Sequence, residues 1–180
     1  MDVGTFVKQL AEAAPSSSDL ERCGFTGEQA DEFIRSFRCV KRDRPLPKPA
    51  GQDSLLELLR EWDLSKVEIG MVRFPDPPAE RSEKICVGCV EADPLVILSD
   101  DGEIVVHELG TKDHLLWRVS RNGSTLLNAL AIAASFLGKR AVGTIDFGDY
   151  ESARSAASQC ASAAGGDKYL DFYRMLIGAE

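Results

Sequence analysis

Three short apolar runs lie between Ile85 and Glu108. They are Ile85-Cys86-Val87-Gly88-Cys89-Val90, Leu95-Val96-Ile97-Leu98, and Glu103 to Glu108 with Ile104, Val105 and Val106 at its centre. β-Branched residues dominate them, which suits a pleated and buried surface. Asp101-Gly102 separates the last two runs, and that pair tolerates the positive φ angles of a tight hairpin. Upstream, Val67 to Phe74 alternates Val67, Ile69 and Met71 with Glu68, Gly70 and Val72, and reads as one strand. Pro75 to Arg81 reads as a polar, proline-rich loop, and His114 to Val119 as a further strand.

Helical spacing brackets this block on both sides. Val3 to Ala14 places Phe6 and Leu10 four apart, and Pro15 with Ser16-Ser17-Ser18 is expected to end that helix. Thr26 and Gln29 have the spacing of a capping box, opening a helix whose buried stripe is Ala30, Phe33, Ile34 and Phe37. From Arg35 to Lys48, six basic residues and the run Pro45-Leu46-Pro47-Lys48-Pro49 predict an irregular connector. Ser54 and Glu57 suggest a second capping box for a helix ending near Trp62. Leu126, Leu130, Ala134 and Leu137 define a helix from about Ser124 with Gly138 as its stop. Two more helices are expected over about 149–178: Tyr150 to Ala164, then Asp167 to Ile177.

The order of helices, strand meander and helices predicts an α+β fold in one domain spanning 1–180, with an antiparallel sheet packed by N- and C-terminal helices. Its 180 residues suffice for a sizeable core. Twenty-one basic against 29 acidic residues leave a net charge of −8, which argues against a direct nucleic-acid or membrane-surface binder. Leu126 to Leu137 is too short to span a bilayer. Met1 to Lys8 lacks a secretory pattern, and five scattered cysteines fit a reducing compartment, so the expected location is the cytoplasm.

Motifs for chemistry are sparse. Cys86 and Cys89 form a lone C-x-x-C inside a strand, without the second ligand pair that structural zinc needs, so no metal or other cofactor is expected. His107 and His114, with nearby carboxylates, are the candidates for a small enzyme, but there is no nucleophile elbow or phosphate loop beside them. The acids say more. Glu91, Asp93, Asp100, Asp101, Glu103 and Glu108 fall between Ile85 and Gly110, a stretch without Lys or Arg. Such residues serve as solvated gatekeepers of a sheet, as a surface for a basic partner, or as ligands for a hard cation. The expected binding edge is Glu91, Asp93, Asp100, Asp101 and Glu103. Trp117 is either an interface anchor or a core residue.

The run Val87-Gly88-Cys89-Val90-Glu91-Ala92-Asp93-Pro94-Leu95-Val96-Ile97-Leu98, followed by Asp101-Gly102-Glu103-Ile104-Val105, Leu116-Trp117-Arg118-Val119-Ser120 and the Leu126 to Leu137 helix, resembles the SUKH superfamily. That group includes the Smi/Knr-like cell-wall regulators of yeast and many bacterial immunity proteins. The resemblance covers roughly Val67 to Gly138. The basic, proline-rich connector departs from the family pattern, and the two C-terminal helices are extra to it. The resemblance implies an α+β fold, no catalytic residues, and protein binding, in bacteria the neutralisation of a cognate toxin, often a nuclease. A regulatory scaffold and a small enzyme using His107 and His114 are the alternatives, and a homo-oligomer is compatible with all three.

Overall fold

A computed structural model describes residues 1–47, 53–75, 77–81, 84–111 and 114–179. Helix α1 (Val3–Ala13) is capped by Asp2, whose carboxylate accepts from the Thr5 amide, and it buries Phe6 and Leu10. The serines after Pro15 do more than interrupt the chain. Ser16 accepts from the Asp19 amide and starts a short helix, α2 (Ser17–Arg22). A serine hydroxyl satisfies an orphan N–H, so the same residues that stop one helix begin the next. The reciprocal Thr26–Gln29 cap opens α3 (Gly27–Arg35) as the spacing predicts.

The basic connector is less irregular than its composition suggests. Val40–Lys41 forms β1, paired antiparallel with β2 (Trp62–Asp63), and the Leu46 amide donates to the Arg60 carbonyl. Lys48 and Pro49 lie outside the described residues. Helix α4 (Ser54–Glu61) is capped by Asp53 rather than by Ser54, and Asp53 accepts from the Leu55 and Leu56 amides. Its second oxygen accepts from the Gly123 amide at 2.8 Å, so one carboxylate joins the starts of two helices. A methyl group at Gly123 would run into Asp53, which explains the glycine there.

The strand expected over Val67 to Phe74 is a tight hairpin. β3 (Glu68–Ile69) and β4 (Val72–Arg73) pair across Gly70, which adopts a φ of 59°. β5 (Ala79–Arg81) occupies part of the expected proline-rich loop and pairs with β6 (Lys84–Val90). Then come β7 (Asp93–Leu98), β8 (Ile104–His107) and β9 (Leu115–Ser120). The sheet order is β3-β4-β6-β7-β8-β9 with β5 beside β6, and every pairing is antiparallel. This is the expected meander. A bulge at Val87 shifts the β6 register, and Gly88 follows it because a Cβ there would lie 2.5 Å from the Arg73 carbonyl.

Alternate residues of β7 and β8 face opposite sides of the sheet. Leu95, Ile97, Ile104 and Val106 join the main core, together with leucines of α4 and the long helix α5 (Gly123–Ala141). Helix α5 does not stop at Gly138. That residue is buried in the helix, where any side chain would strike the Ala13 carbonyl at the end of α1. Close packing of α1 on α5 is the reason for this glycine. Helix α6 (Tyr150–Ala164), a 3₁₀ turn (Asp167–Tyr169) and α7 (Leu170–Ile177) complete the helical layer, contributing Ala157, Tyr169, Phe172 and Tyr173 to the same core. No helix among the described residues is long and apolar enough to cross a membrane.

Candidate functional site

The meander separates acids that are neighbours in sequence. Glu91 and Asp93 sit at the turn from β6 to β7, whereas Asp100 and Asp101 sit at the turn from β7 to β8. These turns lie at opposite ends of β7, whose six residues span roughly 20 Å. A continuous acidic edge from Glu91 to Glu103 therefore does not form.

Glu103 departs furthest from the expectation. It is only 3% exposed. Its carboxylate accepts a hydrogen bond from the Tyr169 hydroxyl at 3.0 Å and pairs with Lys168 Nζ at 2.7 Å. The other oxygen pairs with the Arg118 guanidinium. Two cations and a phenol satisfy the charge, so Glu103 ties the sheet to the turn before α7 and has no free face for a partner. Nearby, the Ser120 hydroxyl and Arg121 amide donate to the Ala164 carbonyl, and Arg121 Nη2 donates to the Gly165 carbonyl. This end of the sheet is closed by the C-terminal helices.

Among the described residues nothing covers the opposite end. Glu91 is exposed with a left-handed φ of 54°, and its carbonyl accepts from Arg73 Nη2 at 2.8 Å. The Asp93 carboxylate accepts from the Leu109 amide at 2.8 Å, bracing the loop after β8 against the start of β7. Glu108 Oε2 lies 2.9 Å from His114 Nδ1, and the Glu108 amide donates to the His114 carbonyl. Within this braced loop Leu109 is 63% exposed and Leu115 is 39% exposed. Large aliphatics that remain in water beside fixed carboxylates have the character of an interface core with a polar rim. Leu109 was not singled out from the sequence because it follows an apolar strand run and reads as its continuation. Trp117 does not join this surface as an anchor. It stands opposite Val106 and packs, half-buried, against the main core.

The two histidines have different partners. His107 is buried with Nδ1 3.2 Å from Lys84 Nζ, while the exposed His114 pairs with Glu108. Cys86 Sγ donates weakly to the Gly88 carbonyl at 3.7 Å, and no cluster of three metal-ligating side chains occurs among the described residues. None of the five cysteines is joined in a disulfide. Burial pushes the Cys39 and Cys160 thiols up to about 12, which makes them poor nucleophiles near neutrality.

No family model, curated protein or solved structure matches the chain.

Proposed function

We propose that this chain is a non-catalytic protein-binding module whose partner docks on the open end of the sheet. The observation that carries the reading is the pair of exposed leucines, Leu109 and Leu115, set among Glu91, Asp93 and Glu108. Apolar side chains would supply the buried centre of such an interface, and the carboxylates would select a basic partner and speed its arrival. The net charge of −8 acts in the same direction.

The sequence resemblance to the SUKH superfamily makes an immunity protein the form of this proposal, with a basic toxin, for example a nuclease, as the partner. Five cysteines without a disulfide among them support a reducing compartment such as the cytoplasm.

The test is recovery of bound proteins from the native host on tagged protein at low salt. One basic protein should be retained near equal stoichiometry by the wild type. A Leu109→Lys, Leu115→Lys variant should lose it, while Asp100→Lys, Asp101→Lys at the closed end should keep it. Equal loss by both folded variants would remove the open end from the reading. A wild-type protein that retains nothing would sink the binding-module reading itself.

A further inference from the structure

A groove of about 760 Å³ runs between α3, the β3–β4 hairpin and the C-terminal half of α5. Its floor is apolar, with Phe33, Phe37, Ile69, Ala134 and Leu137. The rings of Phe25 and Phe33 meet edge-on at 5.7 Å, and Phe33 and Phe37 lie 5.4 Å apart. At the mouth, Phe147 is 71% exposed even though Arg140 Nη2 donates to its carbonyl at 2.7 Å. An aromatic ring on an anchored backbone, facing water above an aromatic floor, lacks the burial that normally places such a residue.

Charge decides what would fill the groove. Arg140 lines it but is 8% exposed and already committed. Nη1 donates to the Ile177 carbonyl at 2.7 Å, Nη2 holds Phe147, and the guanidinium lies 5.4 Å and 5.1 Å from the centroids of Phe136 and Phe147. Its Nε is unpartnered but shut off from solvent, so an anion arriving from the groove could not reach it. The cation is instead stabilised by the carbonyl at the end of α7, by the Phe147 loop carbonyl and by aromatic rings. Glu32 and Glu68 also line the groove, and both are exposed. Neither side chain makes a hydrogen bond or ion pair among the described residues. The charge free to meet a ligand is therefore negative.

We propose that this groove receives an amphipathic basic helix of a partner protein, its apolar face on the phenylalanines and its Lys or Arg residues against Glu32 and Glu68. A helix laid in a groove suits an open, aromatic-floored channel, where apolar anchors at helical spacing enter together. A small ligand would remain half in water with this exposed rim, unlike the nearly enclosed ligands of true pockets. The groove shares no lining residue with the open sheet end, although the β3–β4 hairpin that walls it also holds Glu91.

Cys23 provides the readout, since it is exposed and lines the groove. The probe is a fluorescein-labelled Leu/Lys peptide with leucines at helical intervals, compared by anisotropy with its Leu/Glu counterpart. The wild type should bind the Leu/Lys peptide at least about tenfold more tightly, and bound peptide should slow alkylation of Cys23. Glu32→Lys with Glu68→Lys should weaken binding about tenfold, and Phe147→Ala should weaken it with the fold retained. The charge-matched pair Asp100→Lys, Asp101→Lys should change affinity less than about twofold. Equal weakening by both charge variants would mean that bulk negative charge alone binds the peptide. Undiminished Cys23 alkylation in the complex, or no preference for the Leu/Lys peptide, would overturn the proposal as well.

Discussion

The two ends of the β7–β8 hairpin carry the same chemistry and use it in opposite ways. At one end Glu103 turns inward and holds Arg118, Lys168 and Tyr169 around a single carboxylate. At the other, Asp93 braces the loop after β8 through the Leu109 amide, Glu108 pairs with His114 within that loop, and two leucines stay in water. Nothing in residue type separates these acids. The difference lies in what packs against them. The C-terminal helices cover the first end, and a carboxylate there must be paired to be buried. The described residues leave the second end uncovered, and carboxylates there need only water. An acidic cluster in sequence is therefore a poor guide to an acidic surface.

The largest expected effect tests the closed end directly. Glu103→Ala should destabilise the protein by about 2–3 kcal/mol, because it strands a buried phenol and removes charge-assisted hydrogen bonds. Arg118 and Lys168 are half-exposed and can turn to water, which limits the loss. Glu91→Gln at the open end should stay within about 0.5 kcal/mol. Denaturant midpoints measure both, and equal effects would erase the distinction between the ends.

Two tyrosines one helical turn apart sharpen the same point. The Tyr169 hydroxyl is bonded to Glu103, whereas the buried Tyr173 hydroxyl has no partner among the described residues. Tyr169→Phe should cost about 1–2 kcal/mol, and Tyr173→Phe should be neutral or stabilising by up to about 1 kcal/mol. A clear loss of stability in Tyr173→Phe would show that its hydroxyl is satisfied after all.

The smallest effect appears in alkali. The hydrogen bond to Glu103 raises the Lys168 pKa above 10.5, and burial raises that of Tyr169 above 10.0. A raised folded-state pKa contributes stability below the unfolded value and loses it as pH climbs through the folded one. Melting temperature should therefore fall from about pH 10 upward, and the fall should be shallower in Glu103→Gln, which lacks the carboxylate that holds the Lys168 proton. Identical alkaline limbs would detach Lys168 from Glu103.

Much of the local architecture was legible because it depends on neighbours in the chain. The Thr26–Gln29 cap satisfies N–H groups three residues away, and Asp101-Gly102 bends at the one pair suited to a left-handed φ. The errors cluster where one residue type serves two purposes. Gly138 has the signature of a helix stop, yet its lack of a side chain serves the approach of Ala13, and Gly143, with a φ of 69°, lies beyond the true end of the helix. Val67 to Phe74 alternates like a strand, and only pairing shows that Gly70 folds it back on itself. Ser54 has the right spacing for a cap, but Asp53, one residue earlier, stands two and three residues before the amides it serves, the reach an N-cap carboxylate needs.

By itself the sequence determined the α+β class, the meander and most helix starts, because hydrophobic period, caps and turn residues act over a few residues. The tertiary structure alone decided which acids face water, which glycine is a contact rather than a stop, and where leucines are left exposed. Those outcomes rest on partners far along the chain, such as Tyr169 meeting Glu103 across 66 residues. Burial belongs to the pair of surfaces that meet, and neither segment carries it alone.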